Sequence, residues 1–326
     1  MSDNLPSWRW LLRRLFLALP VVAGVTALTF TLIHLAPGDP IYMLAGDGGS
    51  LSYYADMRAK YGLDRSLGEQ FLRYVRAVAM GDLGYSFMFQ APVLRLLLEH
   101  AAASLLLGLS ALALATVGGF AAGTVAAVTR SRVLAASIRA GASLAYAAPV
   151  FWTGQVLVFV AAVKLGLLPA GGMSSARESL AGLAYAADVA RHLVLPALTL
   201  ALPFAAVVAG VTCASVLESL REPYVRALYA RGLPRRRIVG RHVARIALVP
   251  VAALVGQHAA QVVASAALTE ALFGWPGIGY LVLHASLHRD YPLVTAAFIV
   301  ISSSVVFFNA IADAACAWLD PRIRLT

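Results

Sequence analysis

The stretch Tyr224–Pro250, YVRALYARGLPRRRIVGRHVARIALVP, decides how the rest of the chain is read. Eight arginines fall between Arg221 and Arg245, yet long apolar runs flank them on both sides. Before Gly232, Tyr224, Val225, Leu228 and Tyr229 recur at helical spacing. After Pro234, Ile238, Val239, Val243 and Ile246 repeat that pattern, so both halves read as amphipathic helices. Gly232 suits the left-handed residue that ends the first helix, and Pro234 the first turn of the second. The spacing predicts a helix–turn–helix hairpin between two apolar spans.

The flanks set its context. Of 326 residues, 60% are hydrophobic and 13% charged, against about 25% charged in a soluble domain. The mean hydropathy is +0.77. Six apolar runs are long enough to cross a bilayer as helices, which needs about 20 residues. They are Leu15–Ile33, Ala101–Thr129, Ala140–Val163, Leu193–Leu217, Ile246–Thr269 and Tyr291–Ala312, and none contains Asp, Glu, Lys or Arg. Backbone polar groups must be satisfied internally in lipid, so runs this long are helical. The expected fold is all-α and polytopic, with six transmembrane helices. The first run exceeds a usual signal-peptide core and no Ala-x-Ala site follows, so it reads as a retained span.

Arginine placement sets the orientation. Arg9, Arg13 and Arg14 precede the first run; Arg130, Arg132 and Arg139 lie between the second and third; the eight-arginine insert follows the fourth; Arg322 and Arg324 end the chain. Six crossings put all of these on one side, with both termini cytoplasmic. The expected divisions are a cytoplasmic N-terminus at residues 1–14, a first span at 15–35 and an extracytoplasmic lobe at 36–100. A five-span core follows at 101–320, containing a cytoplasmic loop at 218–245, and the tail is 321–326. In the lobe, Ser66-x-x-Glu69 matches a capping box. Leu67, Phe71, Val75 and Val78 follow at helical spacing, and Gly81 suits a C-terminal cap. An amphipathic helix from about Leu67 to Met80 is expected, packed on the bundle or lying at the membrane surface.

Site chemistry is sparse. No phosphate loop occurs, and Gly274-Trp-Pro-Gly277-Ile-Gly279 lacks the following Lys and Ser/Thr. His284 and His288 share a helix face without a further ligand cluster, so no metal is expected. Cys213 and Cys316 lie in or near apolar runs and suggest no disulfide framework. No Gly-x-Ser-x-Gly elbow is present, and no cofactor is implied. The spans lack the buried acids of a proton-coupled carrier; Glu270 and Asp313 stand only at run ends. Gln155, Gln257, His258 and Gln261 are the candidate polar residues inside spans. Gln257 and Gln261, one turn apart, should face inward, either as interhelical hydrogen bonds or as the lining of a translocation path. Gly119-x-x-x-Gly123 allows close helix approach.

The hairpin admits three readings: a topological signal held by anionic lipid, a nucleic-acid site, or a docking element for a soluble partner. A basic string alone would satisfy the first and needs no designed break, and nucleic acid is not favoured. An apolar stripe flanked by cations suits docking. Here the sequence resembles a known family. REPYVRALYARGLPRRRIVGRHVARIALVP is similar to the cytoplasmic "EAA" loop of binding-protein-dependent ABC importer permeases, in the form of the dipeptide/oligopeptide/nickel branch. LLRRLFLALPVVAGVTALTFTLIHLAPGDP resembles that branch's first span and its exit. YGLDRSLGEQFLRYVRAVAMGDLGYSF resembles its extracytoplasmic segment, and EALFGWPGIGYLVLHASLHRDYPLV its fifth-to-sixth connection. The resemblance implies the type I ABC importer permease fold in a bacterial inner membrane. It also implies half of a heterodimeric pore with a second homologous permease subunit, two cytoplasmic ATP-binding subunits and an extracytoplasmic solute-binding protein. The solute would be a peptide or a related small molecule, and ATP hydrolysis would belong to the partner subunits. The family's loop glycine matches Gly232 and one of its alanines Ala227. The general motif's glutamate position is Arg226 here, its second alanine is Leu228, and Pro250 lies farther from the glycine than in the broad motif. The candidate ATPase-coupling residues are Tyr224, Arg226, Ala227, Leu228, Gly232, Leu233, Pro234 and Arg236. The alternatives are an ion-coupled secondary transporter and a non-transporting membrane scaffold.

Overall fold

The structure is a computed structural model in which residues 8–35, 50–61, 64–175 and 181–319 are described. The expected tail at 321–326 and most of the segment after the first span lie outside these. Helix α1 (Trp8–Leu35) carries the first apolar run. The lobe contributes α2 (Leu51–Tyr61), α3 (Leu67–Ala79) and an antiparallel hairpin of β1 (Tyr85–Ser86) and β2 (Ala91–Pro92). Tyr85 pairs with Pro92, and Ser86 with Ala91. Then come α4 (Val93–Val128), α5 (Arg132–Ala147) and α6 (Val150–Leu157), which continues as a π-helical stretch, Val158–Lys164. Helices α7 (Gly182–Ser219), α8 (Pro223–Ala230) and α9 (Arg235–Arg237) follow. A second π-helical stretch, Ile238–Val243, leads into α10 (Ala244–Phe273), and α11 (Ile278–Leu287) and α12 (Tyr291–Leu319) complete the chain.

Apart from the cap Thr129 and a break at Ala148 and Pro149, the predicted runs lie on helix, the first as a described apolar stretch, Leu19–Thr31, shorter than a span. Among the described residues, four helices are long and apolar enough to cross a membrane, or up to six if each of two bent pairs is one span. The third run differs from a straight span. It breaks between Ala147 and Val150, where α5 and α6 meet at 112°. Pro149 causes this, because a residue before proline is pushed out of the helical region. Ala148 is extended, at φ −73° and ψ 134°. The second bend, 78°, separates the end of α10 from α11. Helix α4 starts at Val93, two turns before the run it carries. Its first turn packs Val93, Leu96 and Leu97 against Leu281, Leu293 and Ala297 of α11 and α12.

The lobe helix forms as its cap dictates. The Ser66 hydroxyl accepts from Glu69 N at 3.4 Å, Arg65 pairs with Glu69 one turn away, and Gly81 takes φ +85° just beyond the end. Phe71 meets Phe30 of α1 edge-on with centroids 5.2 Å apart. The helix therefore touches the bundle, although Leu67 and Val75 on the same face stay exposed.

The centre of the bundle is α4 packed along α7, with α10 across both. Leu107, Leu200, Phe204, Val262 and Trp275 share one buried cluster there. The Gly119-x-x-x-Gly123 spacing sets the approach of α4. A Cβ on Gly119 would meet Ala205 O at 2.6 Å, and one on Gly123 would meet Thr212 Cβ at 2.7 Å. Neither position has room for a side chain, and the neighbour is partly backbone. Gly123→Val should therefore separate α4 from α7 and cost at least the 1–3 kcal/mol typical of overpacking. Gly118→Ala, whose Cβ meets nothing within 4 Å, should be neutral. Thermal unfolding in detergent, followed by size-exclusion fluorescence, distinguishes the two; equal melting temperatures would contradict the close-approach account.

Candidate functional site

The arginine-rich hairpin forms as α8, a turn, and α9 with its π-helical continuation. Glu222 is extended and Pro223 occupies the first helical position, where a missing N–H costs nothing. At the other end, Gly232 N donates to Tyr229 O at 2.9 Å and Leu233 N to Leu228 O at 3.2 Å. These two bonds are the Schellman pair, which requires a left-handed residue at Gly232, and its φ is +76°. A Cβ there would meet nothing within 4 Å. Glycine is needed at this position for backbone conformation, not for space. Pro234 sits one residue earlier than expected, as the cap of α9. Its carbonyl accepts from Arg237 N at 2.9 Å and Ile238 N at 3.1 Å.

Most of the two apolar stripes points into the protein, while Tyr229 and Ile246 stay exposed. Val225 is 1% exposed, and Ile238 and Val243 are 0%. They cluster with Val216 and Ala247, and Tyr224, Leu228, Leu233, Phe120, Ala127 and Val128 pack around them. Arg235 Nη2 donates to Val128 O at 2.7 Å, which satisfies a carbonyl at the end of α4. The hairpin is thus fastened to the inner ends of α4, α7 and α10. From the sequence, the stripes suit a partner's surface; periodicity identifies a shared face but not what covers it. What faces outward is Arg226, Ala227, Gly232, Pro234 and Arg236, together with Arg231, Arg237, Arg241 and Arg245. Among the described residues none of these arginines forms an ion pair with an acid. Burial raises the pKa of the Tyr224 phenol, so this ring remains neutral in the anchor.

The polar span residues fall into two places. Gln257 and Gln261 are exposed on one face of α10, pointing out of this subunit. Half-buried His258 lies between them, its Nδ1 3.1 Å from Gln261 Oε1 and its ring edge-on to Phe204 at 5.0 Å. Its Nε2 is buried without a hydrogen-bond partner. Gln155 is exposed on α6, next to Gly154, which is wedged against Thr199 and Phe273. No recorded hydrogen bond joins Gln155 to the α10 group.

At the opposite end of α10 is a site the sequence reading left as a run end. Glu270 is 1% exposed. One carboxylate oxygen accepts from the Ser104 hydroxyl of α4 at 2.6 Å. The other accepts from Gly279 N at 2.7 Å and Tyr280 N at 3.2 Å, at the start of α11. Ser104 Oγ also accepts from Ile278 N at 2.8 Å, and Trp275 Nε1 donates to Ala103 O at 2.8 Å. Gly277 admits the carboxyl group, since a Cβ there would run into Glu270, and Gly279 lets α11 close on α10, since its Cβ would run into Ala267 Cα. The glycine-rich turn therefore binds an acidic side chain supplied by its own chain. An acid just before a glycine-rich break in an apolar run is the signal that could have found it. Asp290 does the same for the lobe, accepting from the Ser86 hydroxyl and from Met88 N at 3.1 Å. Asp188 accepts from Ser175 N at 2.7 Å and Ser175 Oγ at 2.8 Å. The His284 ring lies on Tyr280 at 4.3 Å, and among the described residues no group of three or more His, Cys, Asp or Glu converges as a metal site.

Removing an anchor residue should loosen the hairpin without touching its outer edge. Ile238→Ala should cost about 2–5 kcal/mol, the range for emptying a packed site. It should speed proteolysis between residues 219 and 245 in inside-out vesicles, whereas Arg226→Glu should leave protection unchanged. Equal protection in all three proteins would show that the cluster does not hold the loop.

Comparison with known proteins bears on this arrangement. Residues 119–325 match the description "Binding-protein-dependent transport system inner membrane component", and residues 7–107 match its N-terminal counterpart. The dipeptide transport system permease protein DppB of Escherichia coli is 34% identical, over 97% of this chain and 98% of that one. The di/tripeptide transport system permease protein DppB of Pseudomonas aeruginosa is 35% identical, over 96% and 97%. A chain of the MetNI methionine ABC transporter, solved in inward-facing conformations, superposes with a TM-score of 0.56 at 15% identity, covering 70% of this chain and 97% of that one.

Proposed function

The chain belongs to the family of binding-protein-dependent transport system inner membrane components, and on that premise we propose how it works and what it carries. It is the multi-pass permease subunit of an ABC importer, and family membership leaves the ion-coupled carrier without support. In our reading it sits in a bacterial inner membrane and forms half of a pore with a second homologous permease subunit. Of two cytoplasmic ATP-binding subunits, one docks on the outward edge of this hairpin, Arg226, Ala227, Gly232, Pro234 and Arg236. An extracytoplasmic binding protein delivers the solute, which we take to be a peptide, as in the named relatives. The nucleotide chemistry belongs to the ATP-binding subunits, and this chain contributes no catalytic group. Gln257, His258, Gln261 and Gln155 face the pathway, where carboxamides can exchange hydrogen bonds with peptide amides.

The observation that carries this reading is the anchoring of the hairpin. An exposed cationic edge lacking acidic partners is fixed by a buried apolar cluster to three spanning helices. A force applied at the edge is thereby delivered to α4, α7 and α10. The pathway assignment rests on the exposed Gln257–Gln261 face, which costs least when it meets water or a polar partner rather than lipid.

Two experiments test it. In proteoliposomes holding the complete transporter and its binding protein, dipeptide uptake should require internal ATP and proceed without an ion gradient. Uptake driven by a gradient alone would end the proposal. Second, Gly232→Val should reduce uptake at least tenfold, because a β-branched residue is a poor fit to φ +76° and would distort the Schellman turn. Gly232→Asn should retain most activity, since Asn tolerates this conformation. Equal uptake in Gly232→Val and the wild type would remove the hairpin from the coupling path.

A further inference from the structure

We propose that Glu270 and Ser104 form a latch that keeps the outer end of α10 fixed to α4, so that movement imposed on the hairpin reaches the extracytoplasmic mouth. Both are positioning residues. The proposal rests on the permease reading and adds the part that transmits motion at the far end of the subunit.

A carboxylate sits almost fully buried in an apolar bundle, and among the described residues no arginine or lysine pairs with it. Burying an unpaired charge is costly unless hydrogen bonds compensate. The donors at Glu270 are the Ser104 hydroxyl and two N–H groups of α11. They belong to two different elements, so the carboxylate ties α11 and α4 to the end of α10. Ser104 closes the ring, because its oxygen accepts from Ile278 N while its hydrogen goes to Glu270. The indole of Trp275 adds a fifth tie, to Ala103 O. A half-helix N-terminus inside a membrane can hold an anionic solute. Here that place is already occupied from within, which gives the break a mechanical role and not a binding one.

The position of the latch explains its use. Helix α9, the π-helical stretch and α10 run without interruption from Arg235 to Phe273, a length on the order of 60 Å. The inner end is fixed to α4 by the Val225–Ile238–Val243 cluster and by Arg235 on Val128 O. The outer end is fixed to the same helix by Ser104 and Ala103. The Gln257–Gln261 face lies between the two fastenings. With both in place, α4 and α10 move together. With the outer one released, the end of α10 and α11 can lag, and rocking at the cytoplasmic side dissipates before it opens the mouth.

The test uses the assembled transporter with its ATP-binding subunits and binding protein in proteoliposomes, and reads solute imported per ATP hydrolysed. Ser104→Ala removes the donor to Glu270 and the acceptor for Ile278 N. It should lower that ratio at least fivefold while ATP hydrolysis continues, and Ser104→Thr should restore it. In a second variant, Ser104→Cys with Ile278→Cys, oxidation should close a covalent version of the latch. Uptake should then survive with the bridge closed and fall when it is reduced. An unchanged ratio in Ser104→Ala would overturn the proposal. So would arrest of uptake by the closed bridge, since that would mean α11 must leave α4 in every cycle. Should Ser104→Ala fail to assemble, the bridged variant decides alone. If the wild type itself shows no ATP-driven uptake, the permease reading is at fault and not the latch.

Discussion

Hydrocarbon offers no partner for a peptide N–H, so each interruption of a spanning helix must be met by a group from the protein itself. This constraint shapes the chain. The interruption between α10 and α11 exposes the N–H groups of Ile278, Gly279 and Tyr280, and a hydroxyl and a carboxyl group take all three. The loops at the same end are handled alike: Asp290 holds Ser86 and Met88, and Asp188 holds Ser175. Asp290 joins the connection before α12 to β1 and the turn after it, and Asp188 joins α7 to the segment before it. The extracytoplasmic side is therefore fastened by carboxylates with hydroxyl and backbone donors, in a chain with few acids overall.

The cytoplasmic side is built on the opposite principle. Its fastening is an apolar cluster, and its charge is mostly arginine, with Glu218 and Glu222 where α7 meets the hairpin. Arginine there does two jobs. Arg235 completes the end of α4, and the exposed remainder keeps the hairpin on the cytoplasmic side and leaves a cationic edge. The hairpin reads as a surface for a partner because most of its apolar face is already covered. A free stripe would bind anything greasy; a covered one leaves a shape and a charge pattern to recognise.

Much of this was legible in the sequence, and for clear reasons. Spans follow from run length, orientation from arginine, the lobe helix from Ser66 and Glu69, and the turn at Gly232 from the stripes on either side. Close approach of α4 and α7 was legible in two glycines one turn apart. What periodicity could not supply was direction. Val225, Ile238 and Val243 share a face whether that face meets a neighbour or the bundle, and only the tertiary structure shows that it is the bundle. The bend at Pro149 was visible as a proline, yet the run around it is long enough for one straight helix. Glu270 escaped because its partners, Ser104 and the start of α11, lie far from it in sequence or across a turn, and a lone acid at a run end has no periodic signature. Single residues that work through distant partners are the ones a sequence hides.

The central claim is mechanical: hairpin, α10 and outer elbow behave as one body. Spin labels at Arg236 and Leu287, both exposed, mark the two ends of that body. Their separation can be measured by pulsed electron–electron double resonance in the complete transporter, with and without trapped ATP. The account predicts an unchanged intrachain distance, while labels on the outer rims of the two permease subunits move relative to each other. A shift of several ångström between Arg236 and Leu287 on nucleotide trapping would contradict it.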